Sequence, residues 1–384
     1  MMHESLLGLD CTLNILFVVV YGLLQCGTSF PKSNGIQLLT IFAMLSAVPH
    51  ETQPLILCVI SILSIMLFRG FFPLVFFMFS FFGNLYAIAV CSVLAIYVCF
   101  ELQSLCLVIL SKVSSNNTNK LFVYKAALKY LLFSVIAGSV LLFYTSLIFA
   151  QTGVLDCYTM PVYFFMLFKI GAAPFHMYML ELFTVVPRAL ALYLTTIPKY
   201  SVIVLLCSLN IDCSLTAFAL SSLAIGSLSA FQGVFLRNLI LYSSVTEIGL
   251  ILLVLNQGFT GAAIIAITLY FMGTFLLWNS SNNKVIAIAT MSTAGLPPLA
   301  GFFGKVQLLT GVVETGNGNA LAMLLLAQFI AFVAYLRIIR IYLINYANNS
   351  ISQLSFNINN QLSAIFITLL IFLSNYLIKP FLLV

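Results

Sequence analysis

Charged side chains are what this sequence has least of. Its 384 residues include 15 Lys and Arg and 9 Asp and Glu, 6% of the chain, where a soluble domain of this length carries about 96. That deficit excludes a soluble enzyme. Glycine patterns that cradle phosphates are missing too: no G-x-G-x-x-G follows a strand pattern and there is no phosphate loop. Nucleotide and nicotinamide sites therefore have no place in this chain. None of the nine cysteines forms a C-x-x-C pair, and most sit inside apolar runs, which argues against metal ligation, iron–sulfur ligation and a disulfide framework. The formal charge of +6 comes from scattered residues and not from a basic patch with interleaved aromatics, so nucleic-acid binding has no support.

What the chain does have is apolar residues, 62% of the total. About twenty such residues in a row span a bilayer core, and a backbone in lipid must satisfy its hydrogen bonds as a helix or a closed barrel. Barrel strands alternate polar and apolar residues, and these runs do not. The sequence therefore predicts an all-α polytopic membrane protein with about fourteen spans. They lie near Cys11–Phe30, Ile36–Val48, Pro54–Phe68, Phe71–Leu94, Ile96–Ser111, Lys125–Ala150 and Pro161–Tyr178, then Pro187–Ser208, Ser214–Gln232, Asn238–Leu255, Thr260–Trp278, Val285–Val312, Ala320–Ile344 and Leu362–Leu383. The first ten residues carry Glu4 and Asp10 in place of the basic residues of a cleavable signal, so the first span is expected to be retained.

The count has an independent check, because membrane proteins gather Lys and Arg into short loops on one side. With fourteen spans, every odd-numbered connection is basic: Lys32, Arg69, Lys112 with Lys120, Arg188, Arg237, Lys284, and Arg337 with Arg340 beside the thirteenth. The even-numbered ones hold His50 and Glu51, Asp156, Asp212 or no charge. Lys379 is the exception. Removing one early span would break the alternation at Lys32 or Arg69, so the short second and third spans are kept.

Ionisable residues within spans usually mark an ion path, a proton relay or a substrate site. The candidates here are Glu101, Lys129, Lys169, Lys199, Glu247 and Lys305, with Glu314 just past the twelfth span. Snorkelling or simple pairing stands equally open for Lys129 and Glu314, whereas Lys169, Lys199 and Lys305 have apolar sequence on both sides. The seventh and twelfth spans also join a Lys to Gly and Pro interruptions, in KIGAAPF (Lys169 to Phe175) and GLPPLAGFFGK (Gly295 to Lys305). Paired interruptions at corresponding places point to inverted repeats with an ion path at the break, the fourth to eighth spans repeating as the ninth to thirteenth. The domains read as 1–70 (three helices), 71–208 (first half), 209–345 (second half) and 346–384 (last helix). Burial disfavours a charged lysine and a nearby carboxylate restores it, so moving the carboxylate loads or unloads a proton.

These residues bring a known family into view. Five blocks carry the likeness: YKAALKYLLFSVIAGSVLLFYTSLIFAQTG from Tyr124, FKIGAAPFHMY from Phe168, TIPK from Thr196, LRNLILYSSVTEIG from Leu236 and STAGLPPLAGFFGK from Ser292. In this order they resemble the antiporter-like subunit 2 family of respiratory NADH:ubiquinone oxidoreductase, mitochondrial type, from about the fifth span to the thirteenth. The resemblance implies that Glu101 pairs with Lys169, that Lys199 connects two half-channels, that Lys305 is the exit-side lysine, and that Lys129 matters as well. It implies no cofactor in this chain, with NADH, FMN, iron–sulfur clusters and ubiquinone in partner subunits. It also implies other membrane-arm subunits and lipids as partners, and the mitochondrial inner membrane as location. Thirty-five Phe and 17 Tyr against one Trp hint at the same organelle, through a T-rich coding sequence.

Three features depart from the family pattern. Glu247 stands where a histidine is common after YSS, Glu181 lacks the usual preceding proline, and the first four spans carry no matching motif. Glu247 is expected either to replace that histidine in proton exchange or to pair with Arg237. The related antiporters share the fold, so a free-standing cation/proton antiporter is the second functional class, and another kind of solute carrier a distant third.

The loops bearing Lys32, Lys112, Arg188 and Lys284 are expected to face the matrix. Cysteines placed in them should label from that side, and cysteines beside Asp156 and Asp212 should not. Matrix labelling at the two acidic loops would overturn the topology. The sequons at Asn116, Asn279 and Asn348 should carry no glycan.

Overall fold

The computed structural model describes residues 71–349, apart from 90–91, 115–119, 153–159, 209–214, 234, 281–282, 298 and 315, together with Ile56, Leu57 and Ser61. The first, second and fourteenth expected spans, and the rest of the third, lie outside the described residues, as do Lys32, Arg69 and Lys379.

The described residues form helices and no strand, as a backbone in hydrocarbon requires. In order these are α1 (Phe71–Ala89), α2 (Val93–Ser114), α3 (Lys120–Thr152), α4 (Met160–Ile170), α5 (Met177–Val185) and α6 (Arg188–Ser208). They continue as α7 (Thr216–Gln232), α8 (Leu236–Leu255), α9 (Thr260–Asn279), α10 (Asn283–Ala294), α11 (Ala300–Glu314) and α12 (Gly318–Asn349). Six of them, α2, α3, α6, α8, α9 and α12, are long and apolar enough to cross a membrane. The seventh expected span, Pro161–Tyr178, covers most of α4 but only the first two residues of α5, which begins after a separation at residues 171–176; the twelfth, Val285–Val312, covers most of α10 and α11, which are separated at 295–299. Each separation begins at a glycine with positive φ, Gly171 at 77° and Gly295 at 83°, a conformation open to glycine and costly for most other residues.

The chain divides into two compact units. The first comprises Met1–Ile170 with Glu181–Leu209. There Phe77 of α1 meets Tyr193 of α6 edge-on at 5.4 Å, and Phe100 of α2 meets Phe165 of α4 at 6.2 Å. A buried hydrogen bond of 2.7 Å from Ser201 Oγ to Asn84 Oδ1 also ties α6 to α1. Helix α6 is buried along nearly its whole length, so any charge on it must be accommodated inside the protein. Helix α3 is the opposite, with Leu121, Phe122, Leu132 and Phe143 exposed.

The second unit comprises Gly171–Leu180 and Asn210–Val384. Helices α7 and α8 pack closely because small residues face each other, the usual device where lipid supplies no hydrophobic drive between helices. A Cβ on Gly226 would lie 2.9 Å from the Thr246 backbone nitrogen, and one on Gly249 would lie 3.0 Å from the Ala219 carbonyl. Arg337 of α12 donates to the carbonyls of Phe231 (2.5 Å) and Gly233 (2.9 Å), satisfying acceptors that the end of α7 leaves open. The connection between α4 and α5 is held in this unit as well: Ser221 Oγ donates to the Ala173 carbonyl at 3.0 Å, and Phe175 stacks on Phe218.

Gly226→Val is expected to push α7 from α8 and to cost about 1–3 kcal/mol, the usual range for overpacking. Denaturant titration of the purified protein in detergent would read that loss. An unchanged midpoint would show that this contact is looser than described.

Candidate functional site

In the first unit, α2 and α4 bring Glu101 and Lys169 together. Lys169 lies in the last turn of α4, just before Gly171, where the negative end of the helix dipole favours a cation. Its Nζ is 3.4 Å from Glu101 Oε1, donates to the Phe100 carbonyl at 3.3 Å, and lies 5.2 Å from the Phe165 ring centroid. Both side chains are mostly enclosed, at 5% exposure for the lysine and 15% for the glutamate. Ser104 Oγ donates to Glu101 Oε2 at 3.1 Å and so fixes the other carboxylate oxygen. Glycine at position 138 leaves α3 room to pass Tyr97 and Glu101, since a Cβ there would meet both.

The second unit has a counterpart built from α8 and α11. Glu247 is buried on α8, and its Oε1 lies 3.1 Å from Lys305 Nζ. The ammonium also donates to the Ala294 carbonyl at 3.2 Å and to Gln328 Oε1 on α12 at 3.0 Å, and lies 5.9 Å from the Tyr335 ring. Ala294 ends α10, so this ammonium lies at the negative end of a helix as well. The aliphatic stem of Lys305 crosses Gly295, where a Cβ would come within 2.7 Å of its Cδ. Glu247 does not pair with Arg237, because ten residues on one helix separate them by about 15 Å. Arg237 instead lies over the Trp278 ring at 5.8 Å.

The remaining candidates behave differently. Lys129 on α3 pairs with Glu181 on α5 at 2.6 and 2.8 Å, with the side chains 42% and 53% exposed. Such a pair in water adds about 1 kcal/mol or less, whereas in hydrocarbon either charge alone costs about 2.5–3.5 kcal/mol at a helix centre. Lys199 is buried on α6 directly after Pro198, 3% exposed. Glu314 is the exposed last residue of α11.

Each unit therefore holds one largely enclosed carboxylate–lysine pair beside the end of a helix. This geometry can hold and exchange protons without metal, nucleophile or cofactor. The family described as NADH:quinone oxidoreductase/Mrp antiporter, TM, matches residues 90–284 and 282–331. The chain belongs to this family.

The NADH-ubiquinone oxidoreductase chain 2 of Chlamydomonas reinhardtii is 33% identical over 341 residues, covering 88% of this chain and 89% of that one. A chain in the structure of respiratory complex I from Thermus thermophilus with bound aureothin superposes with a TM-score of 0.74 at 19% identity, over 86% of this chain and 88% of that chain. A chain of the Mrp complex from Dietzia sp. DQ12-45-1b gives 0.71 at 16% identity, over 88% and 80%. Both structural likenesses establish the antiporter-like fold of this family.

Several partners in the site escape sequence reasoning. Glu181 stands out in the sequence only by its missing proline, yet it is the counter-charge of Lys129. Ser104 and Gln328 are neutral side chains in apolar helices, and neutral residues give little signal there. A search three and four residues along the helix from Glu101 would have found Ser104.

Gly295→Ala should be more damaging than Gly258→Ala. Both glycines have positive φ, 83° and 87°, so both substitutions carry backbone strain of about 1–2 kcal/mol. Only Gly295 has a neighbour within 4 Å, the Lys305 stem. Thermal unfolding in detergent should show a larger drop for Gly295→Ala, and equal drops would remove Lys305 from the argument.

Proposed function

We propose that this chain is subunit 2 of a proton-translocating NADH:ubiquinone oxidoreductase of the mitochondrial inner membrane. It relays protons through Glu101, Lys129, Lys169, Lys199, Glu247 and Lys305, driven by quinone reduction in other subunits. The observation that carries this is the repeated pair, Glu101 with Lys169 at 3.4 Å and Glu247 with Lys305 at 3.1 Å. Each lysine stands at the end of a half-helix and beside a break, where a modest movement exchanges one partner for another.

The full architecture in this reading is fourteen spans with inverted repeats, the seventh and twelfth spans crossing as broken helices. Enzyme activity belongs to the assembly. This chain contributes the proton path, while NADH, FMN, iron–sulfur clusters and ubiquinone are bound by partner subunits. Its neighbours are other membrane-arm subunits and lipids, and the exposed apolar flank of α3 supports such contacts.

A free-standing cation/proton antiporter is the second reading, favoured by the likeness to the Mrp complex chain. Fold alone does not separate the two. The 33% identity to a chain 2 across 88% of this sequence favours the redox complex.

Native gel migration separates the readings directly, because the subunit runs only within a very large assembly. In vesicles carrying that assembly, Glu101→Gln, Lys169→Met and Glu247→Gln should each slow NADH-driven acidification about tenfold or more, the effect of raising a barrier by about 1.4 kcal/mol. The cause is that each substitution leaves a buried charge without its partner or removes the proton carrier itself. Full-rate acidification by Glu101→Gln in a normally assembled complex would mean that its pair with Lys169 is structural.

A further inference from the structure

Lys305 stands between two spaces inside the second unit. On one side is a crevice of about 10 Å³ that includes Glu247, Tyr270, Ser292 and Thr293, room for about one water molecule. On the other is a cavity of about 250 Å³ with apolar walls that include Leu250, Phe302, Leu324 and Phe329. Phe329 is 67% exposed, so this cavity reaches the surface of the unit. The polar side chains on its wall are Lys305 and Gln328.

Gln328 is oriented by its own chemistry. Its Oε1 accepts from Lys305 Nζ at 3.0 Å, which leaves the amide nitrogen as a donor. That Nε2 is buried and has no partner among the described residues. A buried amide donor left open is costly, and such an atom calls for an explanation in function or in solvent. The other groups facing the ammonium are Glu247 from α8, the Ala294 carbonyl from α10 and the Tyr335 ring from α12, with Tyr270 of α9 across the crevice.

We infer that Gln328 is the positioning residue of the proton outlet, its Oε1 turning the Lys305 ammonium toward the large cavity and its Nε2 holding the water that receives the proton. An N–H bond of the ammonium breaks as an O–H bond forms on that water, and that water passes one of its own protons on to further water filling the cavity. The neutral amine then takes its next proton from the Glu247 side. The inference rests on the proton-relay reading above.

The test compares Gln328→Leu, Gln328→Glu and Lys305→Met in vesicles carrying the intact assembly, with NADH oxidation and acidification measured together. Gln328→Leu keeps the bulk and loses both polar atoms, so the protons moved per NADH oxidised should fall severalfold. Gln328→Glu restores the acceptor and should recover a large part of the loss, a rescue that a merely structural role does not predict. Normal proton yield in Gln328→Leu overturns the inference, as does an equal loss in the leucine and glutamate variants. If Lys305→Met slows acidification while Gln328→Leu does not, the outlet assignment fails and the relay stands. If Lys305→Met also pumps normally, the relay reading itself fails. Should Gln328→Leu not assemble, Gln328→Glu decides: a retained yield supports the inference and a lost one overturns it.

Discussion

A lysine ammonium inside hydrocarbon needs an acceptor for each of its protons and a negative charge within a few ångströms, or it does not stay charged. The two units meet this requirement with similar parts. A backbone carbonyl accepts from each ammonium, that of Phe100 on α2 for Lys169 and that of Ala294 at the end of α10 for Lys305, and a glutamate from a neighbouring helix supplies the counter-charge. Lys169 ends α4 opposite Glu101, and Lys305 touches the last carbonyl of α10 opposite Glu247. Some of the glycines belong to the same arrangement. Gly295 gives room to the Lys305 stem, and Gly138 gives room to Glu101.

The same requirement grades the other charges by depth. Lys129 and Glu181 form a short pair between α3 and α5 on an exposed flank. Lys199 lies at the other extreme, on a helix enclosed over nearly its whole length. Pro198 beside it removes one backbone donor from that helix, and the nearby Ser201–Asn84 hydrogen bond adds polar character to the same stretch.

Much of this was legible in the sequence because lipid simplifies the code. Apolar runs predicted α6, α8 and α9 to within two residues at each end: Pro187–Ser208 against Arg188–Ser208, Asn238–Leu255 against Leu236–Leu255, and Thr260–Trp278 against Thr260–Asn279. Gly and Pro stand in both separations, at 171–176 and 295–299, though nothing in the sequence says that Lys169 precedes the one whereas Lys305 follows the other. The scarcity of charge made every ionisable residue conspicuous. Pairing was harder to read, because a partner across helices leaves no spacing in the chain. Glu247 illustrates this: Arg237 was the charge closest to it in sequence, while its partner lies 58 positions away on another helix. Gln328 left no trace, since a neutral amide in an apolar span passes as filler until its hydrogen bond is seen.

Glu247 also shows what a departure from the family pattern changes. A histidine at that position would be neutral or positive beside Lys305, so the site would carry a net positive charge and would need compensation from outside. A glutamate makes the pair neutral overall when both groups are ionised. Such a pair is cheaper to bury than a lone cation, in keeping with its place on α8, which is enclosed along most of its length.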